Sequence, residues 1–134
     1  LEIGTGSGYQ ALILKMLGAE VYTVERIEYL FNKSQTAFKD FNLEIFGFYK
    51  DGTTGLEEKA PFDRIIVTAA APNIPEALIK QLKINGIMVI PVGEKDCQKM
   101  LKIKKIDNNN FKTSEHSTFR FVPLIGKYGW SSEN

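Results

Sequence analysis

Leu1-Glu2-Ile3-Gly4-Thr5-Gly6-Ser7-Gly8 is the stretch that decides how the rest of the chain is read. An acidic, apolar strand end runs straight into three alternating glycines. Glycine has no Cβ, takes positive φ readily and lets a bulky ligand come close to the backbone. The helix that follows points free N–H groups and the positive end of its dipole at whatever lies in the turn, which favours a carboxylate or a phosphate. Residues 1–3 read as the second half of a strand, so the sequence is expected to be part of a longer protein.

Outward from this turn, apolar strands alternate with helical patterns, as in a parallel sheet covered by helices on both faces. A short, almost wholly apolar and buried helix is expected over 10–17, stopped by Gly18. The strand over 20–25 alternates between faces and ends in Glu25. Over 27–41, Ile27, Leu30, Phe31, Phe38 and Phe41 recur at helical spacing and predict an amphipathic crossover helix. A strand over 44–49 leaves through Asp51-Gly52. Residues 62–69 hold the continuous run Ile65-Ile66-Val67 of a central strand. A helix over 75–83, with Pro75 at its start, and a strand over 86–92 follow.

Residues 100–106 then alternate apolar residues with lysine, and Asp107-Asn108-Asn109-Asn110 join them to an extended stretch ending at Leu124. That is a hairpin, hence antiparallel. Lys102, Lys104 and Lys105 read as the charged outer face of an edge hairpin. The expected class is α/β: one domain over 1–134, with a doubly wound, mostly parallel sheet and a C-terminal antiparallel hairpin.

Composition narrows the setting. The chain of 134 residues is 43% hydrophobic and 25% charged, enough for one globular core. Seventeen basic residues against 16 acidic ones leave a net charge of +1, so no large field draws nucleic acid or an anionic membrane. The single cysteine, Cys97, excludes a disulfide framework and a four-cysteine zinc site. No apolar run is long enough to span a bilayer. A cytoplasmic monomer that binds no metal, nucleic acid or membrane is expected.

The glycine turn is not the dinucleotide fingerprint, which wants glycines at its first, third and sixth positions. Here Gly8 stands at the fifth and Tyr9 at the sixth. Nor is it a phosphate-cradling nucleotide-hydrolase loop, since no lysine follows Gly8. Glu25 follows Gly4 at a distance of about 20 residues, where a carboxylate accepts hydrogen bonds from the ribose hydroxyls of an adenosine cofactor. Asp51 leaves the third strand toward the same crevice, within reach of an adenine edge. Glu2 adds a carboxylate that either orients the turn or receives a cationic group of the ligand.

These residues resemble the protein-L-isoaspartate (D-aspartate) O-methyltransferases, which use S-adenosylmethionine and have a Rossmann-like fold. The first ten residues are similar to that family's cofactor loop, and Val24-Glu25-Arg26 to its ribose-binding strand end. Asp51-Gly52-Thr53-Thr54-Gly55 with Ala60-Pro61-Phe62-Asp63-Arg64-Ile65 resembles its signature block in residues and spacing. Val67-Thr68-Ala69-Ala70 and Arg120-Phe121-Val122-Pro123-Leu124 follow in the family's order. Lys50 stands where a small residue is usual, and Leu56 where an aromatic residue or valine is usual.

The resemblance implies methyl transfer from S-adenosylmethionine to the free carboxylate of L-isoaspartyl and D-aspartyl residues, with damaged peptides and proteins as partners. It implies cofactor contacts from Glu2, Gly4, Thr5, Gly6, Ser7, Gly8, Glu25, Arg26, Asp51, Gly52 and Thr68. It also implies a peptide groove near 122–124, where Ile125 lacks the hydroxyl the family often offers. The family's catalytic serine lies in a segment this sequence does not contain, so no catalytic residue is assigned. An already ionised acceptor needs no general base, only alignment. His116 and Cys97 accordingly read as structural or solvated. The residues after the fourth strand, Thr68-Ala69-Ala70-Ala71-Pro72, differ from the Asn/Asp-Pro-Pro-Tyr of methyltransferases acting on base or glutamine nitrogen. A small-molecule methyltransferase and a non-catalytic binding module remain as alternatives.

Overall fold

The computed structural model describes residues 1–132. It contains, in chain order, β1 (Glu2–Ile3), α1 (Tyr9–Met16), β2 (Tyr22–Glu25), α2 (Glu28–Asp40), β3 (Phe46–Tyr49), β4 (Phe62–Val67), α3 (Glu76–Lys80), β5 (Leu82–Glu94), β6 (Cys97–Lys105) and β7 (Phe111–Phe119). Seven strands form one sheet in the order β3-β2-β1-β4-β5-β6-β7. The pairs from β3 to β5 are parallel, whereas β5–β6 and β6–β7 are antiparallel. Crossovers run from β1 to β2 to β3 in one direction, then return to β4 on the other side of β1. The strand order therefore reverses at β1 and β4, and a crevice opens outside their carboxyl ends.

Side-chain alternation explains where the core lies. Ile65 pairs with Met88, and Met88 with Ile103, on a single rung, all three essentially inaccessible to solvent. Ile3 joins Val24 and Val67 on another. Leu78 of α3 and Leu56 cover this face. A second cluster gathers Ala11 and Leu12 of α1 with Val21, Phe38 and Ile45. Each helix thus buries one stripe against the sheet, as its periodicity requires.

The structure differs from the sequence reading at several places. α1 is apolar but not buried all round: only Ala11 and Leu12 are enclosed, while Tyr9, Met16 and Leu17 face solvent because a single face meets the sheet. Gly18 does close it, at φ 94°, its N–H donating to the Lys15 carbonyl. α3 is shorter than 75–83. The chain re-enters the sheet at Leu82, and a register shift in the β4–β5 pairing accommodates Asn85 at φ 66°.

β5 turns directly into β6, so the C-terminal unit is three antiparallel strands, one more than the expected hairpin. Asp107 does make the expected turn, its Oδ1 accepting from the N–H groups of Asn109 and Asn110. Lys105 does not share the outer face with Lys102 and Lys104. It is buried, and its Nζ donates to the carbonyls of Lys80 and Leu82 where α3 ends. β7 stops at Phe119, and the chain leaves the sheet edge to return to Ala70 through Pro123. Among the described residues no helix is long and apolar enough to cross a membrane.

Candidate functional site

The strand order places the carboxyl ends of β3, β2, β1 and β4 side by side, and the sequence-selected residues sit on that rim. Gly4, Gly6 and Gly8 all have positive φ. At Gly4 glycine is obligatory on two counts: φ is 95°, and a Cβ would overlap the Thr68 hydroxyl. That hydroxyl lies 2.7 Å from the Gly4 carbonyl and 3.0 Å from the Ile3 carbonyl, so the end of β4 holds the first turn of the loop. At Gly8 a Cβ would come within 2.8 Å of the Phe38 ring, which fixes how closely α1 and α2 approach.

Beneath the loop runs a buried polar chain. Thr23 donates to Glu2 Oε1 at 2.6 Å, so its one proton is spent and the Thr5 hydroxyl, also at 2.6 Å, donates to Thr23. Gln10 donates to the other Glu2 oxygen at 3.0 Å. Burial pushes the Glu2 carboxyl above its ordinary range and outweighs the hydrogen bonds from Thr23 and Gln10 that favour ionisation. Of the two roles foreseen for Glu2, these contacts favour the first: it is held inside the protein, where it orients Thr5 and the start of α1.

Glu25 closes the loop from the side. Its Oε2 accepts from the Gly6 N–H at 2.9 Å, and its Oε1 accepts from the N–H groups of Arg26 and Ile27, each at 2.9 Å. Two carboxylate oxygens offer about four acceptor sites, so capacity for a further donor remains. Ser7 is exposed and caps weakly, its hydroxyl 3.4 Å from the Tyr9 N–H. Arg26 projects from the rim beside Asp51.

Asp51 accepts from the N–H and hydroxyl of Thr53 at 2.8 and 2.7 Å through Oδ1, and from the Lys127 N–H at 2.8 Å through Oδ2. Partial burial pushes its pKa up, but the hydrogen bonds from Lys127 and Thr53 and the nearby Arg26 charge outweigh it. The carboxyl ends below its ordinary range. Gly52 packs on β1, where a Cβ would come within 2.6 Å of Ile3 Cγ2. The glycine loop, Glu25, Arg26, Asp51, Gly52 and Thr68 therefore belong to one connected rim, with Glu2 buried beneath it.

Two features were not foreseen in the sequence. Beyond the groove expected near 122–124, where Ala70 N–H donates to the Val122 carbonyl and Leu124 N–H to the Ala70 carbonyl, each at 2.8 Å, the tail also returns to this rim: Tyr128 N–H donates to the Thr53 hydroxyl at 3.1 Å, and the Trp130 indole N–H donates to the Ala70 carbonyl at 3.1 Å. The one signal for it was two aromatic residues, Tyr128 and Trp130, in an otherwise polar tail. Gln81 is the second. It is buried, accepts from Leu56 N–H at 2.7 Å, donates to the Thr54 carbonyl at 2.9 Å, and so fixes the loop after Asp51.

A cleft of about 360 Å³ lies between Arg26, Asp51 and this C-terminal segment. Larger grooves exist elsewhere, one of about 810 Å³ between Thr54, Ile74 and Tyr128 and one of about 660 Å³ under Leu1, Phe62 and Arg64. Volume alone does not choose among them; the converging glycine loop and carboxylates choose the rim. His116 on β7 and Cys97 at the start of β6 lie on the antiparallel strands of the sheet, outside the four strand ends that form the rim.

Residues 1–129 match the model of the protein-L-isoaspartate (D-aspartate) O-methyltransferase family. The chain belongs to that family. A relative from Pelodictyon phaeoclathratiforme, protein-L-isoaspartate O-methyltransferase, is 51% identical over 130 residues, covering 97% of this chain and 59% of the relative. A solved protein-L-isoaspartate O-methyltransferase superposes with a TM-score of 0.87 at 28% identity, over 96% of this chain and 42% of that one. A Plasmodium falciparum protein given the same family name and solved with S-adenosyl-L-homocysteine superposes with a TM-score of 0.74 at 27% identity, over 92% of this chain and 64% of that one. The chain spans about 60% of the length of the curated relatives it matches.

Proposed function

We propose that this chain forms the S-adenosylmethionine site, and part of the acceptor groove, of a cytoplasmic enzyme that methylates the free carboxylate of L-isoaspartyl and D-aspartyl residues in damaged proteins. The observation that carries the reading is the direct bond from Gly6 N–H to Glu25, which ties the glycine loop to the adjacent strand-end carboxylate on the rim where Asp51 also lies. The relative solved with S-adenosyl-L-homocysteine supports the choice of cofactor.

The residues present fit that group. Within the loop from Gly4 to Gly8, Gly6 is the open point, where a Cβ would meet nothing within 4 Å, and exposed Ser7 follows it at the start of α1, whose N-terminal dipole suits a carboxylate such as that of the methionine part. Glu25 has acceptor capacity left for a ribose hydroxyl, with Arg26 beside it. Asp51 and Gly52 border the adenine side, and Thr68 holds the loop from β4. S-adenosylmethionine supplies an electrophilic methyl group. An ionised carboxylate acceptor is itself the nucleophile and needs no proton removed. The work left to the protein is to align the reactants and exclude water, worth about 7 to 11 kcal/mol in a well-oriented site. Exposed Val122 and Pro123, beside Ala70 and seated on buried Leu124, form the apolar surface where an acceptor peptide would lie.

The test is to incubate the whole protein with labelled S-adenosylmethionine and a matched pair of peptides, one isoaspartyl and one aspartyl. A base-labile methyl ester on the isoaspartyl peptide alone is expected. Equal labelling of both peptides, or of neither, overturns the proposal.

A further inference from the structure

Thr53 is fully buried, and its hydroxyl is paired on both sides. Its hydroxyl donates to Asp51 Oδ1 at 2.7 Å and accepts from the Tyr128 N–H at 3.1 Å. Asp51 in turn accepts from the Lys127 N–H at 2.8 Å. Two successive amides of the C-terminal segment therefore end on one two-residue acceptor. Among the described residues, the amides of Gly126, Gly129 and Trp130 pair within 124–130 itself. Among the described residues, segment 126–130 is tied by hydrogen bonds to the rest of the protein at the Asp51–Thr53 pair and through the Trp130 indole on Ala70, and Lys95 Nζ lies over the Trp130 ring at 5.6 Å. The fit is close as well: a Cβ on Gly126 would overlap the Asp51 carboxylate.

We infer that Thr53 is a positioning residue: with Asp51 it latches segment 126–130 across the crevice, so that the wall facing Arg26 is set by this latch together with the Trp130–Ala70 bond. The inference rests on the reading of the crevice as the adenosyl site. Asp51 then has two duties, bordering the ligand and anchoring the segment that covers it. Its two oxygens already serve three donors, and the buried hydroxyl of Thr53 holds it in that orientation. Releasing the latch leaves the glycine loop and Glu25 in place but opens one side of the cleft.

Trp130 is the one tryptophan in the chain, so its fluorescence reports the segment directly. Thr53→Val keeps the shape of the side chain and removes its hydroxyl, Thr53→Ser restores the hydroxyl, and Gly126→Ala displaces the segment from its own side without touching Thr53. In this chain, without cofactor, Thr53→Val and Gly126→Ala are expected to give red-shifted Trp130 emission and stronger acrylamide quenching, with Thr53→Ser close to the unsubstituted protein. Calorimetry should show S-adenosylmethionine binding weakened about tenfold in the first two and recovered in the third. Unchanged Trp130 quenching in Thr53→Val and Gly126→Ala overturns the latch. Exposed Trp130 with unchanged affinity overturns its role in positioning. Failure of the unsubstituted chain to bind the cofactor would count against the proposed function, while the fluorescence comparison would still decide the latch.

Discussion

The N–H of Gly6 donates to Glu25 Oε2 across 2.9 Å, joining the apex of the glycine loop to the end of the neighbouring strand. The two residues are 19 positions apart in the chain, and parallel pairing of Glu2 with Thr23 and Ile3 with Val24 brings them together. Loop and carboxylate are thus one structural unit, and a change to either is felt by both.

Replacing Glu25 therefore tests the site and the loop together. Glu25→Ala removes an acceptor for three backbone N–H groups and the carboxylate proposed to hold the ribose. S-adenosylmethionine binding should weaken by about 1.5 to 3 kcal/mol, the range of charge-assisted hydrogen bonds. Isothermal titration calorimetry measures this, and an unchanged affinity would remove Glu25 from the site.

Gly4 and Gly18 share nearly the same φ, 95° and 94°, but differ in surroundings. A Cβ at Gly4 meets the Thr68 hydroxyl, whereas one at Gly18 meets nothing within 4 Å. Gly18→Ala should cost about 1 to 2 kcal/mol, the price of a left-handed L-residue. Gly4→Ala should cost distinctly more, about 2 to 4 kcal/mol once the overlap is added. Urea unfolding of the two variants compares them, and equal losses would show that Thr68 gives way freely.

Gln81 satisfies two backbone groups at once, the Leu56 N–H and the Thr54 carbonyl. Gln81→Leu fills the space but strands both, at about 2 to 4 kcal/mol. The loss should appear in denaturant unfolding. A variant as stable as the parent would mean that water reaches both groups.

Glu2 sets a pH dependence of unusual sign. Because burial raises its folded-state pKa above 4.5, the folded protein holds the proton more tightly than the unfolded chain. The associated stability is present in full below the unfolded value and is lost as pH rises through the folded one. Glu2→Gln keeps an acceptor for Thr23, and the Gln10 amide can turn over to accept from the new amide. The variant should gain stability relative to the parent between pH 4 and pH 7. Urea unfolding at both values checks this, and a constant gap would refute it.

The sequence by itself determined the class of fold and the identity of the rim. Period-two and period-3.6 patterns, the glycine turn, Glu25 and Asp51-Gly52 are local signals, because each depends on what a residue can do with its own backbone and side chain. The order of apolar runs was enough to predict the parallel half of the sheet and the antiparallel end. Only the tertiary structure decided which partners complete the site. Lys105 reads as an outer-face lysine until α3 is seen to end above it, and Gln81 reads as one more helical residue until Leu56 and Thr54 converge on it. The 126–130 segment has no periodicity to announce it. Its place is fixed by hydrogen bonds to Asp51, Thr53 and Ala70, residues 60 to 76 positions away, and such contacts leave no spacing in the chain to be read.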